Sequence, residues 1–381
     1  MKLHSSLLLA VLAACRTSAP SVEPNPEPGP PVTRADPQPT ESPQPSAAVD
    51  PEHPQTPVPP FPYLVEEVTY TNPTSGLTLA GTLTIPEAAG PHPAVLLISG
   101  SGAQDRDSTL LGHRPFAVIA DDLTRRDIAV LRVDDRGVGG SERGPAGVTS
   151  EDFATDVEAG VAYLRTRAEI DPGRVALVGH SEGGMIAPMV AAKDPKLAGI
   201  VLLAGPGVPG KQLLVSQARA LLQAKGMPEG MVEAAVEQQE QTMTAVDEAE
   251  TVEQAREGVL DVVGDNEMTR KAVEAQIIPW TLYFVKHDPA PTLERVQCPV
   301  LALGGTLDTQ VVASENLPAI ESALRKGGNE DVTIQTLEGL NHLFQPAQTG
   351  DPDEYQGSKV TFDEASLELI GDWLSARLLE G

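Results

Sequence analysis

Between residues 63 and 381 the apolar positions fall into short unbroken runs separated by longer stretches of helical spacing. The runs are 94–98, 128–133, 174–178, 199–203, 299–303 and 332–337, rich in Val, Leu and Ile. Runs of this length without polar alternation predict strands buried on both faces, as in a parallel sheet. Residues 77–85 read differently. Leu77, Leu79, Gly81, Leu83 and Ile85 alternate with Thr78, Ala80, Thr82 and Thr84, the two-residue period of a half-exposed antiparallel strand at the start of the sheet. Phe153, Val157, Val161 and Leu164 recur at helical spacing, as do Leu367, Ile370, Leu374 and Leu378. Alternating strands and helices predict an α/β fold: a mostly parallel sheet with helices on both faces. Residues 205–292 break the alternation, with helical patterns and no good strand. They predict a helical cap inserted into a core formed by 63–204 and 293–381.

The first 62 residues have another character. Met1-Lys2-Leu3-His4 is a short positive start, and Leu7–Leu12 an apolar stretch too short to span a bilayer. Leu12-Ala13-Ala14-Cys15 resembles a bacterial lipobox, so residues 1–15 read as a lipoprotein signal peptide and Cys15 as the lipidation site. Two or more acyl chains on that cysteine would anchor the protein stably. Arg16 is not the aspartate that signals inner-membrane retention, which points to the outer membrane of a two-membrane bacterium. In residues 16–62, sixteen of 47 are proline, interleaved with Glu, Ser, Thr and Gln. No apolar period exists there, so the segment reads as an extended tether of contour up to ~145 Å at polyproline rise.

Charge and cysteine count narrow the partners. A net charge of −27 argues against nucleic acid and against adhesion to anionic lipid head groups, leaving the lipid as the membrane contact. With Cys15 acylated, Cys298 is left alone and no intramolecular disulfide can form. No Cys/His cluster has zinc-ligand spacing, and no motif calls for a cofactor.

The chemistry sits at the ends of the strands. Gly179-His180-Ser181-Glu182-Gly183 follows the strand-like 174–178 and precedes the small-residue helix pattern Gly184–Ala192. Strand, sharp turn and helix are the setting in which a nucleophile elbow lifts a serine Oγ above the sheet. A serine needs a base and an orienting acid. Of seven histidines, His342 alone stands just beyond a strand with turn residues between, in Leu340-Asn341-His342-Leu343-Phe344. His180 reads as the variable elbow position. Asp308 closes the strand 299–303 through Gly304-Gly305-Thr306-Leu307, whereas Asp265 and Asp288 follow no convincing strand. The order Ser181, Asp308, His342 is that of α/β-hydrolases. Ser99-Gly100-Ser101-Gly102, at the end of strand 94–98, can aim a backbone N–H near Ser101 at a developing oxyanion, with Glu182 N–H as the second donor.

These stretches together resemble a bacterial α/β-hydrolase of the serine esterase group, near the EstD-like esterases and serine aminopeptidase-like hydrolases. The carrying segments are 99–107, Asp134-Asp135-Arg136-Gly137-Val138-Gly139, 179–184 and 339–344. The resemblance covers roughly residues 64–380 and implies Ser181 as nucleophile, Asp308 as acid and His342 as base. The oxyanion loop opens with Ser99 where many such enzymes carry histidine. The expected activity is hydrolysis of small to medium acyl esters through an acyl-enzyme. An aminopeptidase or other amide hydrolase, a thioesterase, and a catalytically silent surface-binding lipoprotein are the rival readings. Oligomeric state is not legible. Arg136 reads as an architectural ion-pair partner, and Asp105-Arg106-Asp107 as either loop support or a substrate contact.

Overall fold

The computed structural model describes residues 50–379. The signal peptide, Cys15 and the tether up to residue 49 lie outside the described residues. Eight strands form one sheet in the order β1-β2-β4-β3-β5-β6-β7-β8. β1 (Tyr63–Thr71) and β2 (Thr78–Pro86) make an antiparallel hairpin, and β2 joins β4 (Ala129–Val133) antiparallel. From β4 onward all pairing is parallel, through β3 (His92–Ile98), β5 (Ile170–His180), β6 (Gly199–Leu203), β7 (Val300–Gly305) and β8 (Val332–Leu337).

Every residue of β3, β6 and β7 is buried, which accounts for their unbroken apolar runs. Connections between parallel strands carry helices: α1 (Pro115–Arg125), α2 (Ser150–Thr166), α3 (Glu182–Ala191) and, beyond β7, α10 (Ala313–Lys326). Asp152 starts α2 by accepting the Thr149 N–H at 2.8 Å, satisfying an orphan donor of the first turn. The C-terminal α11 (Glu364–Leu378) covers the sheet with buried Ile370, Trp373, Leu374 and Leu378.

Six helices are inserted between β6 and β7. They are α4 (Gly210–Ala224), α5 (Glu229–Glu248), α6 (Val252–Val263), α7 (Glu267–Gln276), α8 (Pro279–Lys286) and the single turn α9 (Ala290–Leu293). α8 brings Trp280 and Phe284, stacked at 4.9 Å between ring centroids, against the body of the protein. Of the cap methionines, Met243 is fully buried and Met231 exposed.

Tether-like composition runs to residue 62, yet the chain lies on the body from Asp50 onward. His53 Nε2 bonds the Leu111 carbonyl at 3.1 Å. Gln55 accepts from the Thr361 N–H at 2.6 Å and donates to the Phe362 carbonyl at 2.7 Å. Side chains can hold a proline-rich segment in place because its own backbone offers few donors.

Candidate active site

Ser181 stands between β5 and α3 with φ 55° and ψ −118°. This region is strained for any residue bearing a Cβ and is maintained only where the surroundings fix it. Two contacts do so here. The Ser181 N–H donates to the Leu203 carbonyl at the end of β6, at 2.9 Å, and the Gly184 N–H closes the turn onto the Ser181 carbonyl at 2.8 Å. The following helix passes so close to β3 that a Cβ on Gly183 would sit 2.2 Å from the Ile98 carbonyl oxygen. Only glycine permits that approach.

Asp308 and His342 meet beside it. Asp308 Oδ2 accepts from His342 Nδ1 at 2.9 Å, and both side chains are almost fully buried. Asp308 Oδ1 accepts the Gln310 and Val311 N–H groups, each at 2.8 Å. The carboxylate is thereby held in one orientation. The His342 loop is shaped by Asn341, whose Oδ1 accepts from the Leu343 and Gln345 N–H groups, both at 3.0 Å. It lies directly on the end of β7, where a Cβ on Gly305 would be 2.1 Å from the Leu340 carbonyl oxygen.

Ser181 and His342 line one cavity with Gly100, Ser101 and Glu182, so the chain brings four of the five expected catalytic and oxyanion residues to its wall, with Asp308 behind His342. The cavity is small, about 70 Å³. Leu110, Pro115, Leu213, Phe284, Val311 and Leu343 make its apolar surface. Gly100 backs onto the serine, with its hypothetical Cβ 3.1 Å from Ser181 Cβ. The alternative acids stand apart: Asp288 Oδ1 caps the Ala290 N–H at 3.0 Å, and Asp265 pairs with Arg270 on the surface.

Three residues do more here than their sequence positions suggest. His180 reads as a free elbow position, but its Nε2–H donates to the His342 carbonyl at 2.8 Å, and the two rings lie 4.8 Å apart. Burial, and then the neighbouring His342, lower its pKa to about 4, so it remains a neutral donor that fixes the His342 backbone. Glu182 matters through its side chain as well as its N–H. Its Oε1 accepts from Ser150 Oγ at 2.6 Å and from Trp280 Nε1 at 2.7 Å, and its carboxyl is also bonded by the Ser101 side chain. The Ser99–Gly102 loop, body helix and cap thus converge on one carboxyl, which burial pushes upward in pKa. Asp135 holds the Ser99–Gln104 loop, accepting from Ser99 Oγ and the Gln104 N–H, each at 2.9 Å. Desolvation raises its pKa to about 8.

Asp105-Arg106-Asp107 support the loop. Asp105 Oδ1 accepts the Asp107 and Thr109 N–H groups at 3.1 and 2.9 Å, Arg106 bonds Asp134 at 2.7 Å, and Asp107 pairs with Arg132. Arg136 is buried on Asp156, at 2.5 Å, and is architectural. Cys298 is a free, buried thiol whose pKa burial pushes up to about 12, leaving it unreactive at neutral pH. Among the described residues no group of three or more His, Cys, Asp and Glu could hold a metal ion.

The eight-stranded sheet, with an inserted helical cap over the strand ends, is the α/β-hydrolase fold. Residues 113–345 match the family described as serine aminopeptidase, S33, and the chain belongs to that family of hydrolases. It is 28% identical over 302 residues to the esterase EstD of Thermotoga maritima, a match that takes in 78% of this chain and 65% of the relative. An esterase of Pyrococcus furiosus superposes with a TM-score of 0.52 at 16% identity, over 83% of this chain and 92% of that one. Proline iminopeptidase of Mycobacterium smegmatis superposes with a TM-score of 0.53 at 17% identity, over 83% and 99%.

Proposed function

We propose that the protein is a carboxylesterase acting on small acyl esters through a Ser181–His342–Asp308 triad. The observation that carries this reading is the strained Ser181 in one small cavity with a histidine whose far nitrogen is held by a doubly anchored carboxylate. His342 takes the Ser181 proton as Oγ attacks the ester carbonyl. Asp308 stabilises the imidazolium and keeps its orientation. Backbone N–H groups near Ser101 and at Glu182 receive the oxyanion, the alcohol leaves with the proton from His342, and a water repeats the sequence to release the acid. The likeness to EstD supports an ester as substrate.

Aminopeptidase action is the weaker reading. Among the described residues Glu182 is the only acid lining the cavity, and Ser150, Trp280 and Ser101 already occupy it. A free substrate amine would have to displace them.

Turnover of p-nitrophenyl esters from acetate to palmitate by the full chain tests the reading. An engineered cavity of ~150 Å³ admits benzene, so 70 Å³ suits an acyl group of a few carbons. The rate should peak at acetate to butyrate and fall by octanoate, whose longer chain exceeds the small cavity and must extend beyond it. Cleavage of aminoacyl p-nitroanilides with no ester turnover would overturn it.

We also propose that the protein is an exported lipoprotein held to the outer membrane through acylated Cys15, the remaining residues before Asp50 serving as tether. Support comes from the lipobox-like Leu12-Ala13-Ala14-Cys15 and the proline-rich composition that follows. Among the described residues no helix is long and apolar enough to cross a membrane. Cys15→Ala should move the protein from the membrane fraction to the soluble one. Unchanged fractionation would remove the anchor.

A further inference from the structure

Residues 50–57 precede the stretch that matches the hydrolase family and read as tether, yet they seat in a place shaped for them. Gly112 has φ 87°, and a Cβ there would lie 2.4 Å from His53 Cε1, so the imidazole fills room that only glycine leaves. The ring meets His113 edge-on, with centroids 4.6 Å apart and planes at 89°. Its Nε2 bonds the Leu111 carbonyl at 3.1 Å, and Asp50 Oδ2 holds Nδ1 at 2.9 Å.

Two residues on, Gln55 fastens the same segment to a second piece of chain. Its Oε1 accepts the Thr361 and Phe362 N–H groups at 2.6 and 3.1 Å, and its Nε2 donates to the Phe362 carbonyl at 2.7 Å. Both ends of the amide are thus engaged, which fixes its position. The two attachment points are themselves joined, since His113 Nδ1 bonds Thr361 Oγ1 at 2.8 Å.

Both pieces of chain lead to the active-site cavity. Leu110 and Pro115, on either side of the His53 contact, line it together with Ser181. Phe362 stacks on Phe344 at 5.3 Å, and the Phe344 carbonyl, two residues beyond His342, accepts the Asp363 N–H at 2.9 Å. Loop 107–114 belongs to neither helix nor sheet, so its shape depends on ties of this kind.

We propose that residues 50–57 are a strap that positions the cavity wall: through His53 and Gln55 they hold Leu110 and Pro115 where the wall limits the length of the acyl chain. The limit on chain length rests on the esterase reading; the hold on the loop does not.

The full-length protein and its His53→Ala/Gln55→Ala double variant test this by hydrogen exchange and by ester turnover. Amides of 107–114 should exchange about tenfold faster or more in the variant, as expected when local opening has fewer hydrogen bonds to break, while those of β3 and β5 keep their rates. The ratio of kcat/KM for p-nitrophenyl butyrate over octanoate should fall by about threefold or more, because discrimination by chain length comes from the wall and not from the triad. Lys359→Ala removes only an exposed pair with Glu52 and should alter neither reading. Unchanged exchange in 107–114 would overturn the strap, and faster exchange with an unchanged ratio would overturn its part in selecting the acyl chain. Should the double variant not fold, His53→Ala alone decides by the same two readings. Absence of Ser181-dependent turnover of either ester would instead sink the esterase reading, with exchange still deciding whether the strap holds the wall.

Discussion

Ser181→Ala should lower kcat for p-nitrophenyl acetate by roughly 10⁴- to 10⁶-fold, with the fold and melting temperature preserved. Alanine removes only the Oγ and leaves the Leu203 hydrogen bond that pins the elbow backbone. His342→Ala should cost a similar factor, and the double variant little more than either alone, because base and nucleophile act as one unit. Asp308→Asn is the more informative change. Asp308 Oδ1 accepts two backbone N–H groups at 2.8 Å, so an asparagine must place its carbonyl oxygen there. Its NH₂ then faces His342 Nδ1 and converts that nitrogen into an acceptor. The ring proton moves to Nε2, and the imidazole can no longer take the proton from Ser181. A loss of about 10⁴-fold in kcat is expected. A rate within tenfold of wild type in Ser181→Ala would refute the triad. One within tenfold in Asp308→Asn alone would remove Asp308 from its assigned role.

The parts of this molecule that could be read from sequence are those where one physical demand governs each position. Strands buried on both faces must be apolar throughout, and 94–98, 199–203 and 299–303 correspond to β3, β6 and β7 within a residue or two. The elbow must have small residues around its turn, and it does. β1 was hidden because it is an edge strand. Val68 and Tyr70 alternate with polar residues on one face, but Tyr63 is buried on the other, and Leu64 and Val65 are exposed and spoil the period. Residues 50–62 read as tether because their attachment uses His53 and Gln55 side chains, which leave no periodic trace. The roles of His180, Glu182 and Asp135 were illegible for the same reason. Each depends on a partner distant in sequence, such as His342, Trp280 or Ser99, and no spacing rule connects them. What could have drawn attention to Glu182 is its character: an ionisable side chain at the start of the most apolar helix, where every following residue through Ala191 is buried.

Glu182 is therefore the second position where a substitution should be costly. Glu182→Ala would strip the shared acceptor from Ser150, Trp280 and Ser101 and leave three buried donors to find new partners. At about 1–3 kcal/mol for each donor left unmatched, and with some recovered by rotation of the serine hydroxyls, a net loss of ~3 kcal/mol is expected. For a domain of this size that lowers the melting temperature by roughly 4 °C. The catalytic effect should appear in kcat more than in KM, by about 10²-fold, since the loosened Ser101 loop is needed most when charge develops on the substrate oxygen. Glu182→Gln separates wiring from charge. Its amide oxygen can accept from Trp280 while its NH₂ donates to a serine hydroxyl, so kcat should recover to within about tenfold of wild type. Stability against pH should then change in a defined sense. Burial raises the carboxyl's pKa in the folded protein, so the native state holds its proton where the unfolded chain has released it. Its contribution to stability is present in full below the unfolded-state pKa, ~4.3, and declines as pH rises toward the folded value. Glutamine removes that ionisation, so the fall in stability with rising pH should be shallower in Glu182→Gln than in wild type, with buried Asp135 still contributing its own decline up to about pH 8. Equal slopes in the two proteins, measured by denaturant unfolding from pH 5 to 8, would mean that Glu182 is already ionised in the folded state and that its three donors, not burial, set its charge.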